Sequence, residues 1–325
     1  MKSHDEMNMN TTADKNGSFK VSVVVPSYNE GGNIGVITEK LTGILRKYRD
    51  YEIIFVDDGS TDDTLVVIRN LAQQNEMIKY LSFSRNFGHQ NALKAGLDHA
   101  SGDCIISMDA DMQHPPELID QMIEKWRDGF EVVYTLRNES PNQSYLKRLT
   151  SSFFYKILNA LADIKIEEGA ADFRLLDRSV VEVFKDLNEY HLFIRGIIPW
   201  MGFRSCSLRY EPNERYQGTS KYSITKMFVF AIIGLTSFSI KPLRLSILFG
   251  VIVSFAAFLY AIFALVAKFY FGMIVTGWTS LILSILFIGG IQLVMLGILG
   301  EYIGMLFMAS KKRPNYIVRD KNIQS

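Results

Sequence analysis

The sequence contains few of the residues that mark several common protein classes. Its 325 residues include two cysteines, Cys104 and Cys206, and no Cys/His cluster has the spacing of a zinc site. Both cysteines lie in strand-like runs, which indicates buried, reduced thiols. The net charge is +1, so no overall field favours a nucleic-acid partner. No Gly-x-Gly-x-x-Gly follows the first strand-like run, which disfavours a dinucleotide cofactor.

Charge is nearly absent from the last third of the chain. No charged residue lies between Arg244 and Lys268, or between Lys268 and Glu301. A membrane span needs about 20 apolar residues. The pattern therefore predicts two transmembrane helices within residues 243–310, at about 245–267 and 278–300. Basic residues precede the first helix and follow the second: Lys241, Arg244, Lys311, Lys312 and Arg313. Two spans place both of these flanks on the same side of the membrane, and the positive-inside rule predicts that this side is cytoplasmic.

Two further segments belong to this membrane prediction. Residues 221–242 predict an amphipathic helix at the membrane surface that ends at Pro242, with a buried core helix as the alternative. Residues 311–325 are expected to form a basic cytoplasmic tail. The first 18 residues are polar and lack the apolar run of a signal peptide, so a disordered tail is expected there. The chain is thus predicted to be an integral membrane protein with both termini in the cytoplasm.

Residues 20–137 alternate between strand-like and helix-like patterns, and the pieces after residue 140 are less regular. Strands separated by helices of 10–15 residues predict βαβ units and a mostly parallel, Rossmann-like α/β sheet, in a domain expected to extend over residues 19–220. The fourth strand-like run ends in Asp109 and Asp111. Ligands bind beyond the carboxyl ends of parallel strands, and Mg²⁺ takes one or two carboxylates plus water and phosphate oxygens. A metal–diphosphate site is predicted, with a solvated acidic strand end as the alternative.

Four motifs at successive strand ends resemble one family. They are Val-Val-Pro-Ser-Tyr-Asn-Glu at 24–30, Val-Asp-Asp-Gly-Ser-Thr-Asp at 56–62, Ser-Arg-Asn-Phe-Gly-His-Gln at 84–90, and Asp-Ala-Asp-Met-Gln-His-Pro-Pro-Glu at 109–117. In this order they resemble family-2 glycosyltransferases with the GT-A fold. With two spans behind them, the chain is similar to the polyprenyl-phosphate branch, which includes bactoprenol glucosyltransferases and dolichyl-phosphate-mannose synthases.

The resemblance implies roles for particular residues. The metal, Mg²⁺ or Mn²⁺, would be held by Asp109, Asp111 and Gln113. The nucleotide sugar would be bound by a larger set: Pro26, Tyr28, Glu30, Asp57, Asp58, Asp109, Gln113, Arg195 and Lys221. The acceptor phosphate would be bound by Arg137, Arg148 and Ser152. Asp172 matches a catalytic carboxylate of the family. Asp111 would also be catalytic, in addition to its role as a metal ligand.

Some of these roles have simpler alternatives. Asp172 could cap a turn, and Arg137 and Arg148 could be solvated surface charges. Because a lipid phosphate is already anionic, we expect Asp172 to orient the acceptor or stabilise charge more than to abstract a proton. His89 and His114 are expected to be polar edge residues and not metal ligands. Relatives often carry an acid where this chain has His114.

The leading hypothesis is an enzyme, a hexosyltransferase. It would transfer a hexose, best guessed as glucose from UDP-glucose, to polyprenyl (undecaprenyl) phosphate at the cytoplasmic face of a bacterial membrane, with inversion and a divalent metal. Relatives suggest a homo-oligomer. A processive polysaccharide synthase is the first alternative, although two spans cannot easily enclose a pore. A membrane-tethered nucleotide-binding module without turnover is the second.

Overall fold

The structure is a computed structural model that describes residues 17–138, 167, 169–187, 189, 192–211, 239–271 and 277–323. The chain divides into two compact units. The described part of the first unit consists of the residues up to 211 together with residues 314–323. The described part of the second consists of residues 239–313, apart from the gap at 272–276.

Eight strands form one sheet in the described part of the first unit, in the order β7-β5-β6-β4-β1-β2-β3-β8. Strands β1–β5 and β7 run in one direction, whereas β6 and β8 are antiparallel to their neighbours. The predicted mostly parallel α/β sheet is confirmed. The strands are β1 Lys20–Ser27, β2 Asp50–Asp57, β3 Ile78–Phe83, β4 Cys104–Ser107, β5 Val132–Arg137, β6 Ala170–Asp177, β7 Ser205–Tyr210 and β8 Val318–Lys321.

Six described helices accompany the sheet: α1 Gly31–Leu45, α2 Thr64–Gln74, α3 His89–His99, α4 Leu118–Arg127, α5 Arg178–Lys185 and α6 Ile194–Trp200. The central strands are buried along nearly their whole length, as parallel strands covered on both faces must be. Ile37 and Leu41, one helical turn apart on α1, belong to the same core as Val23, Phe55 and Ile106 of the sheet. The apolar runs of the sequence are therefore the interior of this unit.

The chain returns to the sheet after its apolar helices. The sequence predicted a basic tail over residues 311–325, but Val318–Lys321 form strand β8, antiparallel to β3. Asp320 accepts hydrogen bonds from Arg69 and from the Tyr80 hydroxyl, the latter at 3.0 Å. The prediction of a tail is wrong for this segment, because ladder bonds and charge-assisted bonds outweigh its polar composition.

The second unit contains two long apolar helices, α7 Lys241–Phe271 and α8 Trp278–Ser310. Both are longer than the predicted helices at 245–267 and 278–300. Leu243–Tyr260 and Ser284–Ser310 are apolar and long enough to cross a membrane, and neither window is buried. Phe255, for example, is 62% exposed. Exposed apolar surfaces of this kind are typical of contact with a membrane or with another protein.

Most of the predicted surface helix at 221–242 lies outside the described residues. At its end, the backbone of Pro242 lies in the first turn of α7 and does not terminate a preceding helix. Proline is tolerated there, because the amides of a first helical turn have no partner within the helix. The prediction that Pro242 ends the surface helix is therefore wrong.

Candidate active site

The strand directions bring the four sequence motifs to one edge of the sheet. The carboxyl ends of β1–β5 and β7 meet there, and so does the amino end of β6, because β6 runs in the opposite direction. Ser107 pairs with Arg174 in the β4–β6 register. Residues just after β4, including Asp109, therefore lie across from those at the start of β6, including Asp172.

Asp57 and Asp58 follow β2 and are both buried. Asp57 accepts hydrogen bonds from the Ser60 amide at 3.0 Å and from the Ser82 hydroxyl at 2.8 Å. Asp58 accepts from the amides of Phe87 and Gly88 at 2.6 and 2.9 Å. Burial raises the pKa of Asp58, against the opposing effect of these two amides. The Asp-Asp pair therefore fastens the loop after β2 to β3 and to the loop that follows it.

Gly59 allows these two loops to approach each other. Its φ is +68°, in the left-handed region that favours glycine, and an added Cβ would lie 2.5 Å from the carbonyl carbon of Arg85. Side chains larger than hydrogen cannot fit without moving the backbone. The glycine of the Asp-Asp-Gly motif is required by packing as well as by its turn.

The loop after β1 is fastened to the loop after β2. The Asn29 amide donates to the Ser60 hydroxyl at 3.0 Å, and the Glu30 amide donates to the Thr64 hydroxyl at 2.9 Å. Pro26 is buried at the end of β1, whereas Tyr28 and Glu30 are half-buried. The structure thus places the predicted nucleotide contacts of β1 and β2 side by side at the edge.

Asp109 and Asp111 lie in the loop after β4. Asp111 is 8% exposed, and one of its oxygens accepts from the Gln113 amide at 3.1 Å. Met112, which lies between Asp111 and Gln113, has a φ of +64°, which is uncommon for a residue with a side chain. Asp109 Oδ1 is shielded from solvent and accepts no hydrogen bond from the described residues, although His89 Nε2 lies 3.4 Å from it. Strained backbone and an unsatisfied carboxylate oxygen are typical of a ligand site.

The chemistry of these donors fits a divalent cation held partly by its substrate. No group of three or more His, Cys, Asp and Glu side chains that could hold a metal exists among the residues described. A complete protein cage is therefore absent from that part of the chain. Mg²⁺ and similar hard cations, however, commonly take one or two carboxylates and complete their shell with water and phosphate oxygens. Asp109 and Asp111 are suited to that mode.

Asp172 lies at the start of β6 and is 5% exposed. Its two carboxylate oxygens each accept a hydrogen bond from the Arg195 guanidinium, at 2.9 Å and 2.9 Å. Although burial opposes ionisation, Arg195 and His89 hold the pKa of Asp172 well below its usual range. Asp172 is therefore a charged, engaged carboxylate and a weak base. The resemblance assigned Arg195 to the nucleotide sugar, and in the structure its guanidinium is hydrogen-bonded to Asp172.

Arg174 lies at the site but is not among the residues predicted from the sequence. It is 3% exposed, its guanidinium lies 3.6 Å from Asp172, and its Nε has no hydrogen-bond partner among the described residues. Burial lowers the pKa of Arg174 to about 10. Residues two apart on a strand share a face, so the Asp-Phe-Arg spacing alone could have indicated that Arg174 lies beside Asp172.

His89 connects the two acidic groups. Its Nε2 lies 3.4 Å from Asp109 and 3.5 Å from Asp172. The His89 side chain is 41% exposed, so it is only partly removed from water. This partial desolvation disfavours the charged form, but Asp109 and Asp172 outweigh it and raise the pKa of His89 to about 9. The neighbouring Gln90 donates to Asp172 at 3.4 Å and accepts from the Ile194 amide at 3.2 Å. The start of α3 therefore belongs to the site, and the prediction of His89 as a mere edge residue understated its contacts.

His114 supports Asp109 from behind. It is buried, its ring stacks on Phe173 at 5.2 Å between centroids, and its Nδ1 accepts from the Asp109 amide at 3.1 Å. The Nε2 atom lies 3.7 Å from the Asp109 carboxylate. Tyr210 of β7 closes the same aromatic group at 6.0 Å. The imidazole fixes the backbone and side chain of a predicted metal ligand.

The predicted acceptor-phosphate residues are only partly described. Arg137 is exposed at the end of β5 and pairs in register with Tyr210, so it lies at the same edge. Arg148, Ser152 and Lys221 lie outside the described residues. One cation of the predicted acceptor group is therefore placed near the acidic cluster.

Comparison with known proteins agrees with this architecture. Residues 22–184 match glycosyl transferase family 2. The bactoprenol glucosyl transferase of Shigella phage SfV is 43% identical over 93% of this chain and 99% of its own. A prophage bactoprenol glucosyl transferase homolog of Escherichia coli is 42% identical over the same shares.

One solved structure supports the fold. Mannosyl-3-phosphoglycerate synthase from Rubrobacter xylanophilus superposes with a TM-score of 0.50 at 17% identity, covering 70% of this chain and 74% of that one. The GT-A fold predicted from the motifs is confirmed. The chain belongs to glycosyl transferase family 2, in the polyprenyl-phosphate branch that contains the bactoprenol glucosyl transferases, and it is a glycosyltransferase.

Proposed function

We propose that the protein transfers a hexose from a nucleotide sugar to polyprenyl phosphate, giving a sugar-phosphoryl-polyprenol. The observation that carries this proposal is the contact of one histidine nitrogen with both Asp109 and Asp172. It places a carboxylate suited to a metal–diphosphate next to a charged carboxylate at the carboxyl edge of the sheet. The names of the similar proteins favour a bactoprenol acceptor and glucose as the sugar.

The donor would lie across the edge. Its base and ribose would contact the loops after β1 and β2, at Pro26, Tyr28, Glu30, Asp57 and Asp58. Asp57 and Asp58 already hold neighbouring loops. They would therefore present a preformed surface, so little ordering is needed when the donor binds. The diphosphate would lie at Asp109, Asp111 and Gln113.

A divalent ion, Mg²⁺ or Mn²⁺, would neutralise the charge that develops on the departing diphosphate. An oxygen of the lipid phosphate attacks the anomeric carbon from the opposite face. The bond from that carbon to the diphosphate oxygen breaks, and the diphosphate leaves with the electron pair. This single displacement inverts the anomeric configuration. Asp111 and Asp109 would bind the ion.

Asp172 would act by charge and position. Because Arg195 and His89 hold it ionised, it can stabilise positive charge at the anomeric carbon and fix the orientation of Arg195. Proton abstraction is unnecessary, since a phosphate acceptor is already anionic at neutral pH. Arg137, with Arg148 and Ser152, would bind the acceptor phosphate, whose oxygens match the guanidinium fork.

The apolar helices support a lipid acceptor. Two helices of spanning length would keep the enzyme in the membrane that holds a polyprenyl chain. Lys241 and Arg244 begin α7, and Lys311, Lys312 and Arg313 follow α8. By the positive-inside rule these flanks, and with them the glycosyltransferase unit, would lie on the cytoplasmic face of the bacterial plasma membrane.

The test is a transfer assay with the full-length protein in detergent. It would contain labelled UDP-glucose, undecaprenyl phosphate and Mn²⁺ or Mg²⁺, with parallel reactions lacking the lipid or the metal. We expect label in a lipid that mild acid hydrolyses, and none in either parallel reaction. Label only in polymer would indicate a processive synthase, and transfer from no nucleotide sugar would leave a nucleotide-binding module.

A further inference from the structure

The segment after the apolar helices, residues 314–323, makes a set of specific contacts with the sheet unit. We call it the C-terminal strap. The Ser84 amide donates to the Ile317 carbonyl at 3.0 Å, and the Tyr316 ring stacks on Phe83 at 5.2 Å with an interplanar angle of 13°. The strap therefore covers the last residue of β3 and the first of the following loop.

The strap also reaches the far end of α3. The Tyr316 hydroxyl donates to Asp98 at 2.8 Å, and Asp98 accepts a second bond from the buried Lys94 at 3.0 Å. Burial raises the pKa of Tyr316, so its hydroxyl remains protonated and donates at neutral pH. One side chain thus touches both Phe83 and Asp98, which bound a continuous segment of the chain.

That segment, residues 83–98, carries several of the site's contacts. Phe87 packs edge-on against Phe83 at 5.7 Å, and the amides of Phe87 and Gly88 bind Asp58. The next two residues, His89 and Gln90, contact Asp172. A shift of this segment would therefore move the partners of Asp58 and Asp172 together.

We propose that Tyr316 and Asp320 are positioning residues for the nucleoside-diphosphate-sugar donor. By clamping residues 83–98, the strap holds the loop after β3 in the conformation that fixes Asp58 for the nucleotide. Asp320 holds the strap on the sheet through its hydrogen bonds with Arg69 and Tyr80. Tyr316 then connects the strap to residues 83–98 through its hydrogen bond to Asp98. The proposal deepens the proposed function and rests on its placement of the nucleotide at Asp58.

Tyr316→Phe tests the clamp, because it removes the bond to Asp98 and keeps the ring on Phe83. We expect the donor KM to rise about fivefold, which is about 1 kcal/mol at 1.4 kcal/mol per tenfold, with kcat within about twofold. Hydrogen exchange of the amides in residues 84–91 should accelerate in the same variant without donor present. Asp320→Asn should produce the same pattern.

Arg319→Gln is the matched control, since Arg319 is exposed on the same strand; it should leave KM and exchange unchanged. Unchanged donor KM, with faster exchange confined to β3 and the strap, would overturn the proposal and reduce the strap to an edge cover. If the wild-type protein transfers no sugar, the proposed function fails. The exchange of residues 84–91 then decides by itself: acceleration supports the clamp, and its absence overturns it.

Discussion

The two halves of the sheet edge treat their carboxylates differently. In the β1–β3 half, Asp57 and Asp58 are buried and accept hydrogen bonds from backbone amides and a serine hydroxyl. In the β4–β6 half, Asp109 and Asp172 face histidine and arginine side chains, and Asp109 Oδ1 has the ion-pair contact with His89 but no hydrogen bond from the described residues. The first half uses acids to build a rigid surface, and the second keeps charge available for a ligand.

This contrast makes the β4–β6 half the more sensitive to loss of one charge, and Asp111→Asn should have the largest effect. If Asp111 holds a divalent ion as proposed, removing its charge should lower kcat/KM about 10³-fold, because the leaving diphosphate loses its counter-charge. Transfer to undecaprenyl phosphate and thermal unfolding should be measured together. Asp128→Asn is the control, since Asp128 is exposed. Near-normal transfer by the Asp111 variant would remove the metal role.

Asp172→Asn should follow, with a loss of about 10²-fold in kcat and a smaller change in donor KM. The amide cannot hold the Arg195 fork with two charged bonds, so both the negative charge and the position of Arg195 are lost. Arg195→Lys keeps the charge without the fork and should lose less. Equal losses in the two variants would show that geometry, and not the charge of Asp172, dominates.

The β1–β3 half is expected to respond through binding. Gly59→Ala should raise the donor KM roughly tenfold with kcat little changed, since strain of about 1–3 kcal/mol at a left-handed residue must move the loop. The control is Gly43→Ala in α1, where an added Cβ meets nothing within 4 Å. That change should stabilise the protein slightly, by about 1 kcal/mol. A loss of kcat in the Gly59 variant would contradict the expectation that the β1–β3 half acts only through donor binding.

His89→Gln should have the smallest effect of these four changes, about a threefold loss of kcat/KM, which corresponds to about 0.7 kcal/mol for one polar contact. Glutamine retains a donor but cannot contact Asp109 and Asp172 as one imidazole nitrogen does. His99→Gln at the other end of α3 is the control and should transfer normally. If the His89 variant matches it, the bridge between the two acids has no kinetic role.

Local pattern predicted much of this molecule. β-branched runs ended by polar clusters located β1 to β4, and parallel topology then required their carboxyl ends to meet, which placed Asp58 and Asp109 on one edge. The period-2 pattern of β6 also held the information for Arg174. These features depend on neighbours in sequence or on a general rule of sheet topology.

The remaining features depend on long-range contacts. The bond from Arg195 to Asp172 joins a helix to a strand, and no spacing rule predicts it. Strand β8 is polar and half exposed, and its pairing with β3 comes from residues some 240 positions away. Edge strands of this kind carry too little apolar periodicity to distinguish them from a solvated tail.

The late position of β8 in the chain has a consequence for biosynthesis. The ribosome completes β3 long before the strap, and both apolar helices are made in between. Until the strap is made, the backbone N–H and C=O groups on the outer edge of β3 lack the pairing that β8 provides. Such an edge can pair with a strand of another chain, which is a recognised route to aggregation. If the helices insert into a membrane as they are made, insertion would precede the pairing of β8 with β3. A nascent chain stalled before Pro314 would retain an unpaired β3 edge that is prone to aggregation.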